Sequence, residues 1–396
     1  MISERMKKAV VNGSAIRAMF EEGKIMADKY GKENVYDFSL GNPSIVPPES
    51  VKNAVIDIIN NEPEMLVHGY MNNCGYEDVR ESIAKSINKK HGTCFSFKNI
   101  IMTVGAAGAM NITLNTILDP NDEVIVFAPY FGEYDNYIAN HQGVKVMISP
   151  DTQRFSINFE EFEQKITAKT KAVIINTPNN PTGAVYTEED IKKLAQILTD
   201  KEKQFGTDIY IISDEPYREL VFDNASVPYI TKYYKNTFVG YSYSKTLSIP
   251  GERIGYLVVP SEIKDFEETL AALSVSNRIL GFVNAPSLMQ RVAARCADDT
   301  SDLAVYAENK KILYDALTEY GYECIEPKGT FYMFPKCFID DDKEFCKAAK
   351  EFRLIIVPGS TFACPGYFRI AYCTDKDTII RSLPSFKALA DKYKQI

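Results

Sequence analysis

The sequence contains no tryptophan and only three histidines, His68, His91 and His141, which lie far apart in the chain. A metal site built from histidines, or a catalytic triad with a histidine base, needs several such groups to converge. Neither kind of site has support here. We therefore interpret the histidines as structural or surface residues and predict no bound metal.

Cysteine pairs, long apolar runs and basic stripes are also missing. The eight cysteines are scattered with no C-x-x-C pair, which is typical of reduced thiols in a cytoplasmic protein. The first residues lack a continuous apolar region, and no stretch approaches the length of a membrane span. A net charge of -8 argues against a nucleic-acid surface. We expect a cytoplasmic protein whose partners are small molecules, with no membrane or nucleic acid among them.

Short apolar runs alternate with helical patterns in the first three quarters of the chain. This alternation predicts an α/β fold with a large domain, in which helices flank a mostly parallel central sheet. The predicted strands are Ile100 to Val104, Val124 to Phe127, Ala172 to Asn176, Ile209 to Ser213, Phe238 to Ser242 and Tyr256 to Val259. The predicted helices between them include Ala106 to Ile117, Phe131 to His141 and Glu188 to Thr199.

The pattern changes at about Ser287, and a length of 396 residues favours two domains. A long helical pattern runs to about Tyr320, and short strands and a closing helix from about Lys376 follow it. We predict a large cofactor-binding domain over residues 46–286 and a smaller α+β domain over residues 1–45 and 287–396. The other elements expected in the small domain are a helix over Ser14 to Tyr30 and strands over Val35 to Leu40, Thr330 to Phe334, Leu354 to Val357 and Phe368 to Tyr372.

Residues suited to binding follow five of the predicted strands. In open α/β sheets, ligands bind beyond the carboxyl ends of the strands. The strand ends are followed in turn by Gly105-Ala106-Ala107-Gly108, Pro129-Tyr130-Phe131-Gly132, Asn179-Asn180-Pro181-Thr182-Gly183, Asp214-Glu215-Pro216-Tyr217 and Ser244-Lys245. One ligand between two domains can use all five.

The segment from Ser242 to Tyr256 carries Lys245, with Ser244 before it and Ser248 three positions after it, and Arg253 eight positions after the lysine. A neutral lysine forms a Schiff base with an aldehyde, and an arginine presents a fork of donors to phosphate. These are the two groups by which pyridoxal 5'-phosphate is held. The alternative reading of Lys245 and Arg253 is a solvated surface loop.

The remaining candidate residues supply what such a cofactor needs. Asp214 ends an apolar run and would keep the pyridine nitrogen protonated, while Tyr217 and Asn180 would reach the ring hydroxyl. Backbone N–H groups after Gly105 open a helix and can face a dianion together with Ser242 and Arg253. Phe131 can cover a ring face, and Arg369, inside an apolar strand, can clamp a carboxylate. Turn formation or core packing is the alternative role for Asp214, Asn180, Tyr217 and Phe131.

Taken together, the motifs resemble the aspartate aminotransferase family, which is part of the class I and II aminotransferases and of the fold-type I pyridoxal phosphate enzymes. They occur in the family's order over nearly the whole chain, as Ser39-Leu40-Gly41-Asn42-Pro43, His68-Gly69-Tyr70, Gly105 to Ala109, Pro129 to Phe131, Asn179 to Gly183, Asp214 to Tyr217, Lys245 to Gly255 and Arg369.

The resemblance implies an aminotransferase that moves an amino group between an L-amino acid, aspartate or a related donor, and a 2-oxo acid such as 2-oxoglutarate. Lys245 would carry the cofactor as a Schiff base and transfer the proton, with Asp214 and Tyr217 assisting. Gly41, Asn180 and Arg369 would bind the substrate carboxylate. The phosphate would contact Ala106, Ala107, Ser242 and Arg253, and also Tyr70 of a neighbouring subunit, which implies a homodimer with shared active sites.

Two departures from the family pattern leave questions open. Ala106 and Ala107 stand where the family often carries a serine or threonine, so one side-chain bond to phosphate is missing. Arg278 is a loosely spaced candidate for binding a distal substrate carboxylate, and a plain surface arginine is the alternative. The same residue set also serves a cysteine-S-conjugate β-lyase or an amino-acid decarboxylase, and a ligand-sensing regulator on this fold would need an added DNA-binding domain.

Overall fold

The computed structural model describes residues 2–11 and 15–394. The helices are α1 (Glu4–Val11), α2 (Ala15–Tyr30), α3 (Glu49–Asn61), α4 (Glu64–His68), α5 (Glu77–His91), α6 (Ala106–Ile117), α7 (Glu133–Asn140), α8 (Phe159–Lys165), α9 (Glu188–Phe205), α10 (Tyr243–Thr246), α11 (Phe266–Ile279), α12 (Ser287–Arg295), α13 (Ala304–Glu319), α14 (Asp342–Ala349) and α15 (Lys376–Lys394). The strands are β1 (Tyr36–Asp37), β2 (Ile100–Thr103), β3 (Glu123–Phe127), β4 (Val144–Ile148), β5 (Thr170–Asn176), β6 (Tyr210–Asp214), β7 (Thr237–Ser242), β8 (Gly255–Val258), β9 (Tyr332–Met333), β10 (Leu354–Ile355), β11 (Val357–Pro358) and β12 (Phe368–Ala371).

A seven-stranded sheet forms the centre of the molecule, with strand order β2-β8-β7-β6-β5-β3-β4. All its pairings are parallel except those of β8, which runs antiparallel to β2 and β7. Strands β2, β6, β7 and β8 consist almost entirely of buried residues, because helices cover both faces of the sheet. The predicted α/β fold with a mostly parallel sheet is confirmed.

Six strands of this sheet lie within two residues of their predicted bounds, and helix α6 has the predicted bounds. The sequence reading missed β4, an edge strand whose first two residues are exposed. Half-exposed edge strands have no continuous apolar run, so they resemble loops in a sequence.

A second apolar cluster lies beyond the sheet and includes residues of α13, α14, α15 and the short strands β9, β10 and β12. Its small sheets pair β1 with β10, and β12 with both β11 and β9. Phe38, directly after β1, is fully buried in this cluster, so the N-terminal strand packs where it was expected. Ser14, the predicted start of the N-terminal helix, lies outside the described residues, and that helix is described from Ala15.

The single helix predicted from Ser287 to Tyr320 is wrong. The chain instead forms α12 and α13, separated by a polar loop in which the backbone N–H of Ser301 donates to the carbonyl of Thr246 at 2.8 Å. The Asp302 carboxylate accepts from the backbone N–H of Ala304 at 3.2 Å, and such local side-chain bonds compete with a continuing helix. Helix α12 packs against α3 and α5. The domain boundaries at residues 46 and 287 stay a prediction.

No helix within the described ranges is both long and apolar enough to cross a bilayer.

Candidate active site

The carboxyl ends of β5, β6 and β7 open onto a cavity of about 300 Å³. This volume lies at the lower end of the range that is usual for small-ligand pockets. Among the residues that line the cavity are eleven that the sequence predicted for one ligand: Gly41, Ala106, Ala107, Phe131, Asn180, Asp214, Tyr217, Ser242, Lys245, Arg253 and Arg369. Segments more than 300 residues apart in the chain therefore meet at one place.

Lys245 lies on α10, a single turn that follows β7 directly. The Ser242 hydroxyl caps this turn by accepting from the N–H of Ser244 at 3.3 Å. The Lys245 Nζ donates to the carbonyl oxygen of Gly41 at 2.7 Å. Burial, assisted by the nearby cations Arg369 and Arg253, lowers the pKa of the Lys245 ammonium to about 8. A sizeable neutral fraction of this amine is therefore present near neutral pH.

Asp214 ends β6 and is buried. One of its carboxylate oxygens, Oδ2, accepts a hydrogen bond from the Tyr134 hydroxyl at 2.6 Å. The other oxygen, Oδ1, is buried without a partner. Burial raises the pKa of this carboxyl to about 6, although the Tyr134 bond acts in the opposite direction. A carboxylate with one free, desolvated oxygen is prepared to accept from a cationic N–H donor.

Arg369 lies on β12 with only 2% of its surface exposed. Its Nη1 donates to Oδ1 of Asn180 at 3.0 Å, and its Nη2 donates to the carbonyl of Ser39 at 2.6 Å. The guanidinium lies over the rings of Tyr332 and Phe362, 4.5 and 4.8 Å from their centroids. No described acidic side chain forms an ion pair with it. A buried arginine without a carboxylate is costly and is suited to an anionic ligand.

The cavity lining also includes the start of α6, Ser242 and Arg253. The first N–H groups of a helix have no partner within the helix, and Ala106 and Ala107 line the cavity. Gly105 precedes them with φ 80°. A Cβ at position 105 would lie 2.9 Å from Nη2 of Arg253, so a side chain there would displace the arginine. The arginine is held by the carbonyls of Val104 and Pro250, at 3.0 and 3.1 Å.

The sequence reading missed three polar residues of the site. Asn176 donates to the backbone oxygen of Asp214 and accepts from the N–H of Asn180, both at 2.8 Å. Tyr134 bonds Asp214, and Tyr332 bonds Tyr217 at 3.1 Å between hydroxyl oxygens. Asn176 was detectable, because it ends a predicted strand. The two tyrosines lie among many others and carry no distinguishing spacing.

Two candidate residues lie away from the cavity in the described chain. Tyr70 is 95% exposed, and Arg278 lies on the exposed surface of α11. Gly105 adjoins the cavity without lining it. The described residues contain no cluster of histidine, cysteine or carboxylate groups suited to a metal ion.

Comparison with known proteins decides which chemistry uses this site. Residues 33–382 match the family model described as aminotransferase class I and II. The chain belongs to the class I and II aminotransferases. Enzymes of this family use pyridoxal 5'-phosphate and act on an amino acid and a 2-oxo acid, and this aminotransferase does the same.

Individual relatives are similar to this chain over nearly the whole length of both proteins. An aminotransferase from Eubacterium rectale of known structure is 46% identical, with a TM-score of 0.97 and 99% of each chain covered. The aspartate aminotransferase of Thermus thermophilus, solved with maleate, is 25% identical with a TM-score of 0.87, covering 98% of this chain and 99% of its own. Aromatic-amino-acid aminotransferase 2 of Thermococcus litoralis is 30% identical, with all of both chains covered. None of these three is described as a lyase or a decarboxylase.

The residues of this aminotransferase fit the cofactor. The desolvated amine of Lys245 suits its aldehyde, the free Oδ1 of Asp214 suits its protonated ring nitrogen, and the donors around Arg253 suit its phosphate. When bound, pyridoxal phosphate supplies an electron-accepting ring that stabilises negative charge on the substrate's Cα.

The lowered pKa of Lys245 predicts selective acylation in the cofactor-free aminotransferase. Since only the neutral amine reacts, the labelling rate of Lys245 should rise with pH and level off above about 8. Lys192, an exposed lysine whose pKa is raised by Glu188, serves as the control and should still be accelerating at pH 10. Peptide mapping by mass spectrometry gives both rates. Parallel pH profiles for the two lysines would contradict the desolvated amine.

The raised pKa of Asp214 predicts that this carboxylate destabilises the cofactor-free protein. Its folded pKa of about 6 exceeds the ordinary 3.8, so the native state binds the extra proton, and the penalty is present above pH 6 and fades toward pH 4. Asp214→Asn should therefore increase the free energy of unfolding at pH 7.5 by up to about 3 kcal/mol, and the gain should vanish near pH 4.

Denaturant titrations at the two pH values measure this effect. Asp315→Asn, which removes a carboxylate from an exposed ion pair with Lys311, is the control and should change stability by no more than about 0.5 kcal/mol. An Asp214→Asn protein that is less stable than the wild type at pH 7.5 would show that the carboxylate supports the fold.

Proposed function

We propose that this enzyme transfers the amino group of a broad range of L-amino acids, aspartate and related donors among them, to a 2-oxo acid such as 2-oxoglutarate, with Lys245 as the covalent attachment point of the cofactor. One observation carries the proposal: Lys245 and Arg369 reach the same short segment, through the carbonyls of Gly41 and Ser39. An amino acid whose carboxylate binds Arg369 has its Cα within reach of the lysine amine. This is the arrangement that proton transfer at Cα requires.

The other lining residues divide into two sets. In our proposal, Asp214 contacts the ring nitrogen, Tyr217 and Asn180 contact the ring oxygen, and Phe131 covers a ring face. Support for the Asn180 role comes from its side-chain oxygen, which accepts from Arg369 and so leaves the NH2 end as the available donor.

The second set serves the two anions. Ser242, Arg253 and the N–H groups of Ala106 and Ala107, together with Gly105, form the phosphate site. Arg369 binds the substrate carboxylate, with Gly41 and Asn180 beside it. Both arginines line this one cavity and are held by different partners, which supports separate sites for the two anions.

The breadth of donors follows from what else lines the cavity. Leu40, Met110 and Tyr137 contribute apolar surface. Arg278 lies outside the cavity lining, so the described cavity offers a distal carboxylate no arginine beyond Arg253 and Arg369. The relatives named as aspartate and aromatic-amino-acid aminotransferases span the same range.

We further propose a cytoplasmic homodimer with shared active sites. Apolar side chains are exposed on two neighbouring segments, with Met65 and Tyr70 83% and 95% exposed on one and Ile279 65% exposed on the other. The Asn277 amide ties these segments together by donating to the carbonyl of Asn73 at 2.8 Å. An exposed apolar patch of this kind supports an interface. All eight cysteines are free thiols, which supports a reducing compartment.

A donor panel tests the transfer activity. Single-turnover loss of the bound cofactor's visible absorbance, measured with aspartate, aromatic and aliphatic amino acids, should occur with several donors, and 2-oxoglutarate should restore the absorbance. Arg369→Lys retains the charge but loses the planar fork of donors, so KM should rise by about tenfold or more for every donor. Release of pyruvate and ammonia without restoration by 2-oxoglutarate would point to lyase chemistry instead.

Subunit mixing tests the shared site. Lys245→Ala should hold no cofactor covalently, and Tyr70→Ala should retain it weakly after dialysis. A hybrid of the two variants has one site that combines Lys245 of one subunit with Tyr70 of the other, so mixing should restore tight cofactor retention to that site. Retention that stays at the average of the two parents after subunit exchange would contradict a role for Tyr70 across the interface.

A further inference from the structure

Tyr332 lies in contact with three of the groups assigned above. It is a buried residue of β9, which pairs with β12 so that Tyr332 lies opposite Ala371, two positions after Arg369. Its ring face covers the Arg369 guanidinium, 4.5 Å from the centroid. Its hydroxyl lies 3.1 Å from that of Tyr217. A Cβ on Gly41 would overlap the same hydroxyl.

The direction of the bond between the two tyrosines follows from their surroundings. Burial raises the pKa of both phenols, so both keep their protons at neutral pH. Each phenol then has a single hydrogen to donate. If Tyr217 donates to the ring oxygen of the cofactor, its own oxygen is left to accept from Tyr332. A phenol that accepts a hydrogen bond becomes a better donor.

We propose that Tyr332 is a positioning residue that connects the two halves of the site, orienting the Tyr217 donor through its hydroxyl and holding the Arg369 guanidinium through its ring face. The inference rests on the proposed roles of Tyr217 and Arg369. It assigns the two functions to different parts of one side chain, so two substitutions separate them.

The first test removes the hydroxyl alone. Tyr332→Phe keeps the ring, so KM for the amino donor should change less than twofold. The pH at which the holoenzyme's visible absorption titrates should rise by up to about half a unit, because a weaker donor leaves more negative charge on the cofactor's ring oxygen and favours protonation next to it. Tyr217→Phe should shift the titration in the same direction and further.

The double variant decides whether Tyr332 acts through Tyr217. In the Tyr217→Phe background, Tyr332→Phe should cause no additional shift, since the donor that it orients is gone. An equal shift in both backgrounds, or no shift in the wild-type background, would overturn the proposal. Should Tyr217→Phe itself leave the titration unchanged, the proposed role of Tyr217 fails instead, so the two failures are distinguishable.

The second test removes the ring face. Tyr332→Leu should raise KM for the amino donor by about fivefold relative to Tyr332→Phe, because the guanidinium loses an aromatic surface. Equal KM values for the two variants would overturn this half of the proposal.

Tyr322→Phe is the matched control for the loss of a buried hydroxyl. Tyr322 is a buried phenol of the same apolar cluster whose hydroxyl donates to the Phe386 carbonyl, away from the cavity. It should lower stability without moving either the titration or KM.

Discussion

Desolvation of three ionisable side chains determines how this site works. Lys245, Asp214 and Arg369 line one cavity, and each is held by neutral groups in place of an ion pair within the described chain. Because no opposite charge compensates them, their pKa values are shifted by burial toward the neutral forms. Such buried groups without ionic partners suit a ligand that carries an aldehyde, a cationic ring nitrogen and an anionic group at different atoms.

Neutral neighbours have a second effect, because they orient the charges without neutralising them. The Tyr134 hydroxyl donates to Oδ2 of Asp214, whereas Oδ1 has no hydrogen-bond partner. Asn176, at the end of β5, bonds both Asp214 at the end of β6 and Asn180 in the loop after β5. Such contacts reduce the freedom of the functional groups before any ligand arrives, which lowers the entropy cost of binding.

The sequence predicted the site residues whose positions relative to apolar runs mark them. Asp214, Ser242 and Lys245 were identifiable because each follows a continuous apolar run, and the carboxyl ends of parallel strands meet at one edge. Arg369 was identifiable because a charge inside an apolar strand needs a partner.

The features that the sequence left undetermined depend on tertiary contacts. Tyr134 and Tyr332 are two of 24 tyrosines, and only their neighbours distinguish them from residues of the apolar core. The loop between α12 and α13 is held in part by the backbone hydrogen bond from Ser301 to Thr246 of α10. The helical periodicity of the sequence gives no sign of this contact. Tyr70 is 95% exposed in a single chain, so its proposed contact with the cofactor requires a second subunit.

The reversed direction of β8 has a consequence for the geometry of the proposed phosphate site. Parallel neighbours need a crossover of a dozen or more residues that returns the chain to the opposite edge of the sheet. Strand β8 instead runs back beside β7, with Ser242 opposite Gly255. The chain that leaves the sheet at Ser242 and passes through α10 therefore re-enters the sheet at the same end. The backbone hydrogen bonds between β7 and β8 therefore hold both ends of the segment that joins the two strands. This pairing keeps Arg253, two residues before Gly255, close to Ser242.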